Sequence, residues 1–197
     1  MNDPGFLQNS SLDQRARHAR TKLRTWYLQH ARDLPWRNDS TIYGIWLSEI
    51  MLQQTRVDTG IPKWKAFLRS FPDVRTLANA TEDDVMKAWE GLGYYRRARL
   101  LHKAAKSIDS QGTFPKTYRQ WLDVPGVGPY TAAAIASIAL NEPVAAVDGN
   151  VNRVISRWAC VTLPVDSSSG QQAIQNMADI LLNQSHPGDH NLSLIHI

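Results

Sequence analysis

The chain has 197 residues, of which 43% are hydrophobic, so it is long enough for one domain or two small ones with a real core. Lys and Arg outnumber Asp and Glu by 22 to 18, which permits an anionic partner such as nucleic acid but on charge alone favours an ordinary basic protein. The only cysteine, Cys160, excludes a disulfide framework and a cysteine-rich metal site. With no signal-peptide core and no apolar run of membrane-spanning length, we expect a cytoplasmic protein without membrane association.

Helical periods dominate the chain, and neither a useful strand pattern nor a repeat occurs. Ser10 or Ser11 is suited to cap a first helix over 12–31, and Thr81 begins a capping box with Asp84. The pattern predicts further helices over 42–55, 61–71, 81–89, 95–109, 118–122, 129–140, 148–160 and 170–184. The predicted fold class is therefore all-α with short connections.

The helix predicted over 95–109 separates an apolar face from a basic one. The apolar positions are Ala98, Leu101, Ala105 and Ile108, and the basic positions are Arg96, Arg99, Lys103 and Lys106. The basic face is suited to follow DNA phosphates, and a simply solvated helix face explains it equally well.

Glu49 lies in the middle of the helix predicted over 42–55, which has almost no polar face, so we expect this helix to be buried. A carboxyl group buried there must be paired or neutralised, and burial raises the pKa of a carboxyl group, which suits a general acid. The alternative is a purely structural ion pair with Arg37 or Arg56, which the sequence alone favours somewhat. Gln53, Gln54 and Thr55 follow; they are either a solvated helix end or groups that read base edges.

Pro125-Gly-Val-Gly128 lies between two predicted helices. Gly126 and Gly128 permit a tight turn and a close approach to a ligand, and the helix that follows offers free N–H groups to a phosphate. No strand precedes the glycines, which excludes a dinucleotide-binding fingerprint. A helix on each side instead makes a helix–hairpin–helix unit, which grips the DNA backbone without reading sequence.

Asp148 follows an apolar segment and begins a helix. Asp is a favoured N-cap, and this structural role alone would explain an Asp at position 148. The same helix terminus also stabilises the anionic form of the carboxyl group, which suits a functional role. An apolar Glu49 and an anionic Asp148 are the complementary carboxyl groups that cleave glycosidic bonds through an oxocarbenium-like state. A flipped base would also need aromatic surfaces, for which the candidates are Trp36, Tyr94, Tyr95 and Tyr130.

Several motifs together resemble the MutY-type adenine glycosylases of the helix–hairpin–helix base-excision superfamily. They are Leu34-Pro-Trp36, Trp46-Leu-Ser-Glu-Ile-Met-Leu-Gln-Gln-Thr55, Gly91-Leu-Gly-Tyr-Tyr95, Pro125-Gly-Val-Gly128 and Val147-Asp-Gly-Asn-Val151. The similarity runs from about Leu34 to Arg157, and the ten-residue block around Glu49 is its most specific part.

The resemblance implies a role for each matching residue. Glu49 would protonate the adenine ring nitrogen and activate water, and Asp148, oriented by Asn150, would stabilise the sugar cation. Gln54 and Tyr94 would wedge into duplex DNA beside 8-oxoguanine. Trp36, Arg37 and Leu52 would border the adenine pocket. A monovalent cation would be held at the hairpin by the carbonyl groups of Leu122, Val124 and Val127.

Tyr130 and Gly149-Asn150 distinguish this chain from the related glycosylase/lyases of the endonuclease III type. Those relatives carry a Lys where Tyr130 stands, which attacks the sugar as a Schiff base, and usually Thr-His after the catalytic Asp. The resemblance therefore implies a monofunctional enzyme, a monomer acting on double-stranded DNA with adenine opposite 8-oxoguanine or guanine, nucleoid-associated if bacterial.

The resemblance also implies two helical lobes, of which we expect the second to be incomplete. We assign 1–36 to the second lobe, 37–157 to a helical barrel lobe, 158–191 to the return to the second lobe, and 192–197 to an unrelated tail. The family carries a [4Fe–4S] cluster on four cysteines, which this sequence lacks, so we expect no iron–sulfur ligands here and require no cofactor.

Three other functions stay open. The first is a thymine-glycol or G·T mismatch glycosylase, which Tyr130 and Gly149-Asn150 disfavour. The second is a non-catalytic helix–hairpin–helix DNA-binding module, which has no use for a Glu within an apolar helix. The third is an inactive fragment.

Overall fold

A computed structural model describes residues 4–38 and 41–196, and these residues form helices without any strand. The predicted all-α class is confirmed. In chain order the helices are α1 (Pro4–His30), α2 (Pro35–Asn38), α3 (Ile42–Met51), α4 (Val57–Ser70), α5 (Val74–Asn79), α6 (Glu82–Ala88), α7 (Arg96–Gln111), α8 (Tyr118–Leu122), α9 (Pro129–Leu140), α10 (Gly149–Trp158), α11 (Ser168–Leu181) and α12 (Pro187–His196). None of these helices is both long and apolar enough to cross a membrane.

Side-chain caps fix many of the helix starts. The Thr81 hydroxyl accepts from the Asp84 amide at 3.1 Å and donates to the Asp84 carboxylate at 2.6 Å, so the predicted Thr81–Asp84 pair marks the start of α6. Asp148 caps α10 as predicted, accepting from the Val151 amide at 2.8 Å. At the other end of a helix, Gly112 stops α7 with a left-handed φ of 71°, a conformation that costs glycine little.

Three predicted helix limits are wrong by four residues or more. The helix predicted over 61–71 begins at Val57. The first helix begins at Pro4, so Ser10 and Ser11 lie inside it, because proline is favoured at a first helical position. The third helix ends at Met51 and not at Thr55, because Gln54 adopts a φ of 58°, which a right-handed helix excludes. The sequence also gave no sign of α2 and α5, which are too short for a visible period, or of α12.

Residues Asp33–Leu140 form one compact unit with its own core. Helix α3 packs on α4, α7 and α9 within it. Trp46 of α3 is completely buried, with its ring centroid 6.0 Å from that of Trp121. Because α3 is surrounded in this way, its sequence has almost no room for polar side chains.

The described residues before and after this unit form a second compact unit. Its core joins Ala16 of α1 to Ile155, Ile174 and Leu194 of the last three helices. The Arg20 guanidinium donates to the Ile180 carbonyl at 2.9 Å, which ties α1 to α11. The predicted tail is part of this packing as far as it is described, because α12 continues to His196 and Leu194 is only 2% exposed.

The division of the chain differs from the limits assigned by resemblance. Along the chain, the boundaries between the compact units fall at 32/33 and 140/141, whereas the sequence assignment placed them at 36 and 157. Residues 141–157 belong with the second unit because α10 packs against α11 and α12. The short helix α2 packs on α3 and so belongs to the first unit.

Candidate functional site

Glu49 lies on α3 as one of its few half-exposed positions. Eight of the ten residues in this helix are buried, including Ser48 and Ile50 on either side of the carboxylate. The Thr41 hydroxyl accepts from the Gly44 amide at 3.1 Å and fixes the start of the helix. The Glu49 side chain is thus partly accessible to a ligand, although the helix that carries it is mostly buried.

The residues expected to border an adenine pocket differ in exposure. Trp36 is buried at 7% exposure, with its ring edge-to-face against Trp64 at 5.8 Å, so it is part of the core and presents no open stacking face. Arg37 and Leu52 are half-buried. Trp36 therefore lies beneath the protein surface, whereas Arg37 and Leu52 are partly accessible to solvent.

Gln53, Gln54 and Thr55 form a turn after α3, where the sequence predicted the end of the helix. The Gln53 amide donates to the Thr131 hydroxyl at 3.3 Å, which links this turn to the start of α9. Gln54 is exposed to solvent, and its φ of 58° lies in the left-handed region, outside the helical backbone. The Gln53 side-chain amide is thus bound within the protein, whereas the Gln54 side-chain amide is exposed to solvent.

Tyr94 lies on a second irregular segment, between α6 and α7. Its φ is 46° and its side chain is 65% exposed, so a large aromatic ring faces solvent. The neighbouring Gly91 and Gly93 have φ values of 84° and 67°. Three of the four positions 91–94 have a left-handed φ, which explains the two glycines. The same conformation separates Tyr94 from the helical backbone on either side.

The predicted hairpin is present between α8 and α9, and its two glycines have different roles. Gly126 has a φ of 79°, and a Cβ added there would lie 2.7 Å from the Cβ of Leu100, so only glycine fits. Gly128 would meet no atom within 4 Å, which leaves the backbone open to a ligand. The sequence attributed the tight turn to both glycines, but the geometry requires it only at Gly126.

The carbonyl groups expected to hold a cation lie on this same hairpin. Val124 and Val127 are buried, and Leu122 is 39% exposed. The Val124 carbonyl accepts from the Val127 amide at 3.1 Å, which leaves this oxygen a second lone pair. Among the described residues no cluster of His, Cys, Asp and Glu side chains is able to hold a metal ion.

Asp148 holds both of its carboxylate oxygens in hydrogen bonds from its own helix. One oxygen accepts from the Val151 amide at 2.8 Å and the other from the Asn150 side chain at 3.0 Å. Asn150 is exposed and Asp148 half-exposed. These two donors, both from the first turn of α10, fix the orientation of the carboxyl group.

Asn191 supports the segment that leads to Asp148, a contact the sequence did not suggest. Its side chain, 1% exposed, accepts from the Ala146 amide at 3.1 Å and donates to the Val144 carbonyl at 2.9 Å. One side-chain amide thus satisfies two backbone groups of the segment before α10. Because α12 was not predicted, the sequence offered no signal for this contact.

The remaining candidates lie on α7, on α9, or, for Tyr95, directly before α7. All four basic positions of α7 are exposed and the four apolar ones are buried, as predicted. Arg99, however, is paired with Glu82 at 3.0 Å, while Arg96 faces solvent. Tyr130, in the first turn of α9, is half-buried, and Tyr95 is 40% exposed.

Comparison with known proteins identifies the class to which this chain belongs. Residues 47–169, which include Glu49, the hairpin and Asp148, match the family described as HhH-GPD superfamily base excision DNA repair protein. The chain is a member of this superfamily.

Relatives within the superfamily carry a more specific name. The chain is 39% identical to an adenine DNA glycosylase of Mus musculus, over 87% of this chain and 36% of the mouse protein. It is 36% identical to an adenine DNA glycosylase of Buchnera aphidicola, over 87% of this chain and 50% of that protein. The chain thus spans between about a third and half of the length of these curated relatives.

The fold is also that of a solved glycosylase structure. A thermostable thymine-DNA glycosylase superposes with a TM-score of 0.82 and 25% identity, over 93% of this chain and 85% of that one. The expected helix–hairpin–helix glycosylase fold is therefore confirmed.

Proposed function

We propose that this protein hydrolyses the N-glycosidic bond of adenine in duplex DNA where adenine faces 8-oxoguanine or guanine, acting as a monomer and without cutting the strand. The proposal rests on the contrast between the environments of two carboxyl groups in this member of the repair superfamily. Glu49 lies on a helix that is otherwise almost completely buried, and Asp148 is held as an acceptor by two donors.

Glu49 is the proposed acid and base of the reaction. In its protonated form the Glu49 carboxyl group can give a proton to the adenine ring, as a general acid does. Protonation makes adenine a better leaving group, because the electrons of the breaking C–N bond move into a cationic ring, which departs as neutral adenine. The resulting carboxylate then accepts a proton from the attacking water.

Asp148 is the proposed stabiliser of the sugar cation. The departing base leaves positive charge on the deoxyribose, and a fixed anion stabilises that charge without having to reorient during the reaction. The hydrogen bonds from Val151 and Asn150 supply this fixation.

The proposed DNA contacts come from the hairpin between α8 and α9 and from the side chains of Arg96, Gln54 and Tyr94. The hairpin at Gly126 and Gly128 binds phosphates, with Arg96 as a further positive contact. Gln54 and Tyr94 wedge into the base stack, and Gln53 and Thr55 support the turn beside them. A monovalent cation at the hairpin carbonyl groups would add positive charge near a phosphate.

A [4Fe–4S] cluster does not fit the residues of this sequence. Such a cluster needs four thiolate ligands, and Cys160 supplies one. No step of the proposed reaction involves iron.

Removal of thymine from a G·T pair is the second candidate, favoured by the fold likeness to a thymine-DNA glycosylase. The adenine assignment is preferred because relatives with that name are 36–39% identical, against 25% for the thymine enzyme. Tyr130 also lacks the amine that a Schiff-base lyase requires.

The test is single-turnover excision with the 197-residue chain in excess over labelled duplexes that carry adenine opposite 8-oxoguanine, adenine opposite guanine, or thymine opposite guanine. We expect alkali-sensitive abasic sites at adenine only, with no covalent complex trapped by borohydride. Glu49→Gln should slow excision by about 10²–10⁴-fold while DNA affinity stays the same. Glu90→Gln, at an exposed carboxylate, is the matched control.

Other outcomes would each remove part of the proposal. Loss of thymine in place of adenine would support the second candidate, and a trapped complex would refute the argument from Tyr130. Equal rates for Glu49→Gln and the unaltered chain would leave Glu49 a structural group. Duplex binding with no Glu49-dependent excision would support a binding module.

A further inference from the structure

Two turns of the first unit present the proposed DNA wedge, and both have unusual backbone. Residues 52–55, the Gln54 turn, follow α3, and residues 92–95, the Tyr94 turn, precede α7. Each presents an exposed side chain from a non-glycine residue with left-handed φ, 58° for Gln54 and 46° for Tyr94. Because L-residues avoid this conformation, some other interaction must hold each turn in place.

The Arg97 guanidinium reaches both turns. It lies in the first turn of α7 and is half-buried, apart from the exposed basic positions of that helix. Toward the Gln54 turn it contacts the carbonyl groups of Ile50, Met51 and Gln53 and the hydroxyl of Thr55. Toward the Tyr94 turn it contacts the carbonyl groups of Leu92 and Gly93.

These contacts also replace the hydrogen bonds that α3 loses where it ends. The last carbonyl groups of a helix have no partner within it, and a cation at that end is favourable. One Arg97 nitrogen donates to the Ile50 carbonyl at 3.0 Å and to the Met51 carbonyl at 2.9 Å. The end of the helix that carries Glu49 is therefore set by a side chain from α7.

Aromatic contacts complete the arrangement. The guanidinium carbon lies 5.6 Å from the centre of the Tyr94 ring and 5.4 Å from that of Trp89. Trp89 in turn donates to the Gly93 carbonyl at 3.0 Å. The Tyr94 ring, although 65% exposed, thus rests on a fixed cation.

We propose that Arg97 is a positioning residue that holds the Gln54 and Tyr94 turns as one rigid element, so that both side chains meet the duplex in a fixed relation. This inference rests on the proposed function for the role of the two side chains, but not for the bridge itself. The planar fork of arginine suits this bridge, because it holds five N–H donors in fixed directions, whereas lysine concentrates three donors on one nitrogen.

Hydrogen exchange of the free chain tests the bridge without DNA. We expect Arg97→Met, and to a smaller degree Arg97→Lys, to speed exchange in peptides covering 52–55 and 92–95 together, by about 10- to 100-fold. Exchange in α9 and in α10–α12 should not change. Arg69→Met, at an exposed arginine of α4, is the matched control and should leave both turns as they are.

Duplex affinity then tests the positioning role. In a chain that already carries Gln54→Ala and Tyr94→Ala, Arg97→Lys should cause no further loss, whereas in the unaltered chain it should weaken binding. Equal losses in the two backgrounds would overturn the positioning role. Unchanged exchange, acceleration in one turn only, or equal acceleration throughout Asp33–Leu140 would overturn the bridge. If the unaltered chain bound no duplex, the proposed function would fail while the exchange result still decided the bridge.

Discussion

Asp148 serves the helix and the proposed chemistry through the same two hydrogen bonds. As an N-cap it satisfies the Val151 amide, and as an anion it is oriented by Asn150. A substitution can separate these roles, because an Asn side chain keeps an oxygen for capping but carries no charge.

We therefore expect Asp148→Asn to retain stability and to lose excision. Asp148→Ala removes the cap as well and should lower the free energy of unfolding by about 0.5–2 kcal/mol. Thermal melting and single-turnover excision of both variants are the measurements. Excision by Asp148→Asn at the rate of the unaltered chain would show that the carboxylate is only a cap.

His190 makes the stability of the second unit depend on pH. Its ring is 5% exposed, and burial lowers the pKa of His190 from 6.5 to about 4, with nearby Arg20 acting in the same direction. Within the described part of the chain its Nε2 atom makes no hydrogen bond. The folded state therefore favours the neutral ring.

Stability should fall as the pH is lowered from about 6.5 to about 4, because the unfolded chain gains a proton that the folded chain does not. The full contribution of neutral His190 is present above pH 6.5, and it amounts to roughly 3 kcal/mol at most. Denaturant unfolding from pH 7.5 to pH 4 should show a flatter profile for His190→Gln. Identical slopes for the two proteins would contradict the assignment.

At the scale of elements, the hairpin between α8 and α9 combines a structural glycine with an open one. Ala at position 126 would need left-handed backbone and would collide with Leu100, whereas Ala at position 128 would meet no atom within 4 Å. The two positions lie two residues apart on one turn, so they form a matched pair for experiment.

Gly126→Ala should destabilise the protein by about 1–3 kcal/mol, and Gly128→Ala should change its stability little. If the hairpin backbone approaches DNA closely, Gly128→Ala should nonetheless weaken duplex binding. Melting temperature and duplex affinity, measured for both variants, distinguish the two effects. Loss of stability in Gly128→Ala, or undiminished affinity, would show that the open face is not a contact surface.

The turn after α3 and the segment before α10 illustrate how elements are completed by remote side chains. Arg97 satisfies carbonyl groups at the end of α3, and Asn191 satisfies backbone groups at positions 144 and 146. In both cases a candidate catalytic residue lies a few positions away along the chain. Such support limits the movement of Glu49 and Asp148 relative to their own helices.

At the scale of the whole molecule, the two units carry cores of different extent. The core of Asp33–Leu140 includes side chains from eight helices, α2 to α9, whereas the other core is smaller and lies beside a groove of about 480 Å³. Leu23 and Trp26 of α1 line this groove together with Trp158 and Leu194. Each large apolar side chain left in water forfeits roughly 1.5–3 kcal/mol.

We expect the 197-residue chain to bind no iron, to excise adenine only slowly, and to unfold in two steps, the second unit first. The physical reasons are the single thiolate of Cys160 and the open apolar groove. Iron content, calorimetry and excision measured on one preparation check all three. A single cooperative transition with rapid, iron-free excision would show that these residues alone form an efficient enzyme.

The sequence by itself determined the helical class, the family resemblance, and Glu49 and Asp148 as candidates, because helical periods, caps and short motifs depend on residues close together in the chain. It could not give the end of α3, the φ angles of Gln54 and Tyr94, or the contacts of Arg97 and Asn191. The Arg97 bonds to the end of α3 and its turn join residues 42 to 47 positions apart, and those of Asn191 join residues 45 and 47 apart. Only packing decides which distant polar groups meet, since a buried donor binds whichever acceptor the folded chain brings to it.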